Sequence, residues 1–259
     1  MKKIVFLFFV VVFITACGEY QNILKSSDMD LKYSKAIEYF NDQEYIKAYP
    51  LFEELMTFYR GSNKAKDIYY YYTYTLFGTG DYAMASYHFK NYTNTFPNSD
   101  KAEEAAFMNA YCYYLDSPVY SLEQSSTKKA IDELQLFINQ HPESNRIEEC
   151  NKYIDELYQK LERKSFENAI LYYKIMDYQA AVIALDNMLY DYPDNDYQLE
   201  AKYFQLKSYY YLAKNSVENK KKQRIKLAMV ELQDFKIKFA ESKYIKEIES
   251  LYSELIKEE

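Results

Sequence analysis

Five alanines set the terms on which this chain can fold. Ala48, Ala85, Ala130, Ala181 and Ala228 are each followed four residues later by a large apolar side chain: Phe52, Phe89, Leu134, Leu185 and Leu232. Three residues after that stands another, Leu55, Tyr92, Phe137, Met188 or Phe235. Offsets of four and seven share one helix face, so each alanine heads a helix with a small contact point and two large ones. Twelve residues past each alanine comes Arg60, Pro97, Pro142, Pro193 or Ala240, usually after an aromatic or His and before Gly, Ser, Asn or Asp. The alanines lie 37, 45, 51 and 47 residues apart. A face of this kind stays exposed unless a similar element lies beside it, and the register supplies five.

Residues 64–100 show one unit in full: a helix, a Gly78-Thr79-Gly80-Asp81-Tyr82 turn, a second helix and a Phe96-Pro97-Asn98-Ser99-Asp100 stop. With Pro97 as the closing position of a 34-residue unit, Thr73 and Ala85 take the small positions and Phe89 the large one of a tetratricopeptide repeat. The pattern predicts an all-α tetratricopeptide solenoid of about five helix–turn–helix repeats, near 30–62, 64–100, 101–145, 146–195 and 196–242, with a capping helix over 243–257. Intervals above 34 predict longer helices or loops. Asp116–Thr127 is such a loop, Ile147–Tyr173 is one long helix, and Lys220–Arg224 is a basic insertion between the helices of the fifth unit. Asp30 or Ser27 is expected to cap the first helix and Ser242 the last. Pro50 sits in the first turns of its helix, where a missing N–H costs little.

The first residues address the chain rather than fold it. Lys2 and Lys3 precede an apolar run, Ile4–Ile14, too short for a stable span. The run closes on Ile14-Thr15-Ala16-Cys17, which resembles a bacterial lipobox. Residues 1–16 then read as a lipoprotein signal peptide, Cys17 as the lipidated residue, and 17–29 as a tether. Gly18 stands where an aspartate would resemble an inner-membrane retention signal, and Glu19-Tyr20-Gln21 lacks an acidic surface-export run. The expected location is the inner leaflet of the outer membrane, with the body in the periplasm and the lipid as its membrane contact.

Removing Lys2 and Lys3 leaves 30 basic against 39 acidic residues, which argues against a nucleic-acid groove and against charge-driven binding to anionic lipid. Two histidines, His88 and His141, have no Cys, Ser or carboxylate at a spacing that suggests a triad or metal site. Four glycines form no phosphate loop. The chain is read as no enzyme, with no cofactor and no metal. Cys112 and Cys150 fall inside helical patterns and point to buried free thiols, with a bridge between them left open.

Positions 5, 9 and 12 of the first helix in units one to three form one stripe: Tyr33, Ile37 and Phe40; Tyr70, Tyr74 and Phe77; Phe107, Tyr111 and Tyr114. Eight of the nine are aromatic, which predicts a peptide-binding trough, since tyrosine offers wide contact area and a hydroxyl for an extended backbone. The competing reading is that these rings only pack helix against helix.

The lipobox, the five units, the loop ending Glu123-Gln124-Ser125-Ser126-Thr127-x-Lys129-Ala130 and the run from Phe137 to Pro193 together resemble the BamD family. These are tetratricopeptide lipoproteins of the outer-membrane β-barrel assembly (BAM) machinery. Within that run the matching pieces are Pro142-Glu143-Ser144, Leu157-Tyr158-Gln159-Lys160-Leu161, Ala169-x-x-Tyr172-Tyr173, Ala180-Ala181-Val182 and Asp191-Tyr192-Pro193-Asp194. The tyrosine-rich, tryptophan-free composition is closest to Bacteroidetes-like members. The resemblance implies a scaffold that binds the periplasmic POTRA region of BamA, across units four and five, and receives unfolded outer-membrane β-barrel proteins. A BamC-like partner is a further feature of some members. The alternative is a periplasmic adaptor lipoprotein for peptidoglycan or envelope linkage. A glycan binder of the SusD kind is longer and rich in tryptophan, of which this chain has none.

Overall fold

A computed structural model describes residues 18–257. The expected signal peptide, residues 1–16, and the expected lipidation residue, Cys17, lie outside the described residues. Helix α1 covers residues 18–25. It is followed by α2 (Met29–Asn41), α3 (Tyr45–Phe58), α4 (Ala65–Gly78), α5 (Tyr82–Thr95), α6 (Ala102–Asp116), α7 (Ser125–Gln140), α8 (Ile147–Lys174), α9 (Tyr178–Asp191), α10 (Gln198–Lys214), α11 (Glu218–Lys238) and α12 (Ile245–Lys257). The fold is all-helical, and the described residues contain no strand. The helices pair as tetratricopeptide hairpins, α2 with α3 through α10 with α11.

The alanine register accounts for the core. All five alanines and all ten large residues that follow them are buried. The facing helices place small residues opposite, Ala36, Thr73, Ala110, Ala169 and Ser208, and these are buried as well. Small against small lets two backbones approach, and the residues one turn on fill the space beside them.

Within the hairpins one turn recurs. Gln43, Gly80 and Met176 adopt φ of 59°, 82° and 64°. The next residue's N–H reaches back to a helix carbonyl: Glu44 to Tyr39 (2.8 Å), Asp81 to Leu76 (3.1 Å) and Asp177 to Tyr172 (3.0 Å). This left-handed stop satisfies the last carbonyls of the first helix. Asp81 and Asp177 then cap the second helix by accepting from Met84 and Ala180 N–H, each at 3.1 Å. A tyrosine follows each turn. Tyr45 lies against Gly78 so closely that a Cβ at position 78 would fall 2.2 Å from its ring.

Between repeats, Ser62, Ser99 and Ser144 accept from the N–H two residues on, at 3.2 Å each. Ser242, expected to do the same, differs: its Oγ is buried without a hydrogen-bond partner, and only its carbonyl meets Ile245 N–H. The first repeat is capped by Asp28, which accepts from Leu31 N–H at 2.9 Å, rather than by Asp30 or Ser27. Pro50 occupies the sixth position of α3, past the free N–H groups of the first turn. Lys220–Arg224 belongs to α11 rather than to a loop. Residues 18–25, expected as part of a polar tether, are helical because Ile23 has an apolar site to fill and Tyr20 OH donates to the Lys47 carbonyl at 3.1 Å.

The chain divides into two compact units. The first holds the described residues up to Ser117 together with Ser125–Ile154. The second holds Pro118–Gln124 and the residues from Asp155 onward. In the second, the 118–124 segment is strapped to α8: the Arg163 guanidinium lies 4.1 Å from the Tyr120 ring centre, and Lys164 Nζ donates to the Leu122 carbonyl at 2.5 Å. Helix α12 closes this unit's core with Ile248, Tyr252 and Leu255, and Tyr252 OH donates to the Leu206 carbonyl at 3.0 Å.

Candidate functional site

The nine stripe residues all belong to the first unit, on α2, α4 and α6. Eight are half-buried, while Phe107 is only 3% exposed. The residue nearest the N-terminus of each helix is covered from one side by a cation of the following turn. Lys64 Nζ stands 5.4 Å from the Tyr33 ring centre, Lys101 Nζ 4.6 Å from Tyr70, and the Arg146 guanidinium 4.0 Å from Phe107. Each cation also holds a carboxylate of the same helix, Asp30 at 3.1 Å, Asp67 at 3.0 Å and Glu104 at 2.5 Å. Position 5 is therefore a brace between consecutive repeats.

Positions 9 and 12 join the rings into a run. Tyr74 lies 4.7 Å from Tyr70 and 6.3 Å from Phe77 between centres. Phe77 lies 6.2 Å from Tyr111, which carries the run from α4 to α6. Tyr111 stacks 5.8 Å from Tyr114, and Tyr114 stacks 4.2 Å from Tyr153 on α8. At the other end Phe40 reaches Tyr70 through Tyr71, at 5.0 and 6.0 Å. Ile37 is half-buried beside it. Tyr71 and Tyr153 were missed by the 5–9–12 reading. Tyr71 sits one residue past position 5, and Tyr153 lies on a helix whose longer interval moves it off the stripe.

The hydroxyls are held. Tyr74 OH donates to Glu104 Oε1 at 2.8 Å, and Tyr153 OH to Glu149 Oε1 at 2.7 Å. Burial, and then these hydrogen bonds with neighbouring carboxylates and tyrosines, push both phenols well above the usual range. Tyr74 and Tyr153 thus stay neutral hydrogen-bonding groups within the run of rings.

A cavity of about 590 Å³ lies on another side of α4, between it, the end of α3 and the end of α5. Tyr69, Tyr72, Met56 and Phe96 line it, and Arg60 and Glu53 stand at its polar part. Tyr69 OH is 3.2 Å from His88 Nδ1. Burial raises the Tyr69 hydroxyl to about 12 and lowers His88 below its ordinary value. The stripe reading did not anticipate this cavity, because Tyr69 and Tyr72 fall off the 5–9–12 face.

Cys112 and Cys150 are free and buried. Among the described residues no group of three His, Cys, Asp or Glu side chains is placed to hold a metal ion, and no helix is long and apolar enough to cross a membrane. No curated protein matches the chain. A family model described as "YfiO: Outer membrane lipoprotein" matches residues 25–227, and the chain belongs to that BamD-like family.

Proposed function

We propose that this protein is a lipid-anchored scaffold subunit of the BAM machinery that assembles outer-membrane β-barrels. In this reading Cys17 carries the acyl groups, the inner leaflet of the outer membrane holds them, and the body faces the periplasm. The protein binds the POTRA region of BamA and receives unfolded barrel proteins, without chemistry of its own and without a cofactor. Membership of an outer membrane lipoprotein family supports the setting.

One observation carries the reading of the first unit: rings from three successive helix pairs meet in an unbroken run, Tyr70–Tyr74–Phe77–Tyr111–Tyr114–Tyr153. An unfolded barrel strand alternates apolar side chains along an extended backbone. Half-buried rings offer it apolar area at little entropic cost, and their neutral hydroxyls suit its backbone groups. Co-purification in mild detergent tests the partner. Retention of BamA by the tagged protein, and loss of outer-membrane barrels on depletion, agree with the proposal. Recovery of the protein without BamA, with barrels assembled normally after depletion, contradicts it.

A further inference from the structure

Two hairpin tips of the second unit stand side by side, and aromatic packing fixes them there. The Tyr178 ring at the start of α9 stacks on Tyr211 near the end of α10, centres 5.0 Å apart. Tyr173 at the end of α8 lies 5.9 Å from Tyr178 and 6.4 Å from Tyr211. Arg224 on α11 bonds Ser216 Oγ at 2.6 Å and Gln179 Oε1 at 3.5 Å, tying the α10–α11 turn to α9.

Beyond this clasp the tips carry apolar side chains outward. Leu171, Ile175, Met176 and Val217 are each more than half exposed, Met176 at 72%. Met176 occupies the left-handed position that Gly80 fills in the second repeat. A side chain there is disfavoured relative to glycine, so the exposed methionine is kept at a conformational cost.

The same tips are basic in an acidic protein. Residues 171–180 and 211–226 hold seven basic side chains against two acidic ones, while the whole chain carries −7. Lys174, Lys220, Lys222 and Lys226 are exposed and reach no acidic partner among the described residues. Lys220 stands in the first turn of α11, beside Glu218, at the end where the helix dipole disfavours a cation. The acidic balance of the whole chain hides this segregation.

We infer that the paired tips of the α8–α9 and α10–α11 hairpins rest on an anionic phospholipid surface, with the apolar side chains in the interfacial layer and the lysines at the phosphates. Exposed apolar residues ringed by lysine are the composition that such a surface takes up. The contact is separate from the acyl chain at Cys17 and from the ring run of the first unit.

Flotation of the mature chain with Cys17→Ser, so that no acyl group holds it, tests this. Vesicles of phosphatidylcholine alone are compared with vesicles of phosphatidylcholine and phosphatidylglycerol. Binding is expected on the mixed vesicles only, and it weakens as salt is raised. Lys220→Glu with Lys222→Glu should lower it by roughly tenfold or more, from the worth of each lysine near an anionic surface. Ile175→Ser with Met176→Ser should also lower it, whereas Ile46→Ser in the first unit should not. These are exposed positions, and unchanged circular dichroism confirms that the variants fold. Equal binding to both vesicles, no binding to either, or full binding by the lysine variant overturns the inference. So does capture of an acidic protein by these tips without vesicle binding.

Discussion

Gly78 has no side chain because Tyr45 occupies the space. A methyl group there would lie 2.2 Å from the Tyr45 ring, far inside contact distance. Gly78→Ala improves helix propensity by about 1 kcal/mol, yet overpacking should outweigh that, with a net loss of about 1–2 kcal/mol. Urea denaturation reads the loss, and pairing the change with Tyr45→Ala should recover part of it. Glu133 is 4% exposed and accepts from Lys90 (2.5 Å), Lys129 (2.9 Å) and Asn109 (2.8 Å). Burial pushes its carboxyl up, but the two lysines outweigh burial and hold it below the ordinary value of 4.5. The folded state therefore takes up this proton later than the unfolded chain. The stability it contributes is complete above that ordinary value and is lost as pH falls through the folded one. Glu133→Gln should flatten the acid limb of the stability curve and cost about 1–3 kcal/mol at neutral pH. The two thiols make a third case. Burial, then Asp116, raises Cys112 to about 12, and burial, then Glu149, raises Cys150 to about 11. A thiol reagent at mildly alkaline pH should label neither until the protein unfolds. Rapid labelling of the native chain would contradict this account of the core.

Elements are joined by a device used three times. A cation in the turn before a repeat takes a carboxylate and a ring from the previous repeat's first helix: Lys64 with Asp30 and Tyr33, Lys101 with Asp67 and Tyr70, Arg146 with Glu104 and Phe107. Lys101→Met keeps the apolar stem and removes both interactions. The expected loss is about 1 kcal/mol, since the pair is partly exposed, with the thermal midpoint falling by a few degrees. No change would mean that packing alone spaces the repeats. This scale also shows what the sequence can convey. The helix pairs were legible because Ala85, Phe89 and Tyr92 obey one spacing, and so do their counterparts in every repeat. The long α8 was legible from the absence of Gly and Pro. The caps were less so: several Ser and Asp residues crowd each turn, and backbone geometry chooses among them, as it chose Asp28 over Asp30. Lys220–Arg224 read as a loop because its charge concealed the buried face that Ile225 and Ala228 begin.

At the scale of the molecule, one sequence carries stacked hairpins with different surfaces. Five of the nine residues expected to line a trough lie on the run from Tyr70 to Tyr153, since α4 and α6 follow a strict 37-residue interval. The brace at position 5, the extension to Tyr153 and the separate cavity beside Tyr69 were not legible. Each depends on contacts between residues whose alignment shifts with repeat length. The central claim is that the run around Tyr111 and Tyr114 receives an unfolded barrel segment. Its most direct test is the affinity of the folded chain for a synthetic peptide of alternating apolar residues ending in an aromatic, read by fluorescence anisotropy. Tyr111→Ala with Tyr114→Ala should weaken binding by roughly tenfold or more, given the usual worth of buried aromatic anchors, while Tyr87→Ala, exposed on α5 and outside the run, should leave it unchanged. Equal affinity for wild type and the double variant, with the fold intact, would contradict the claim.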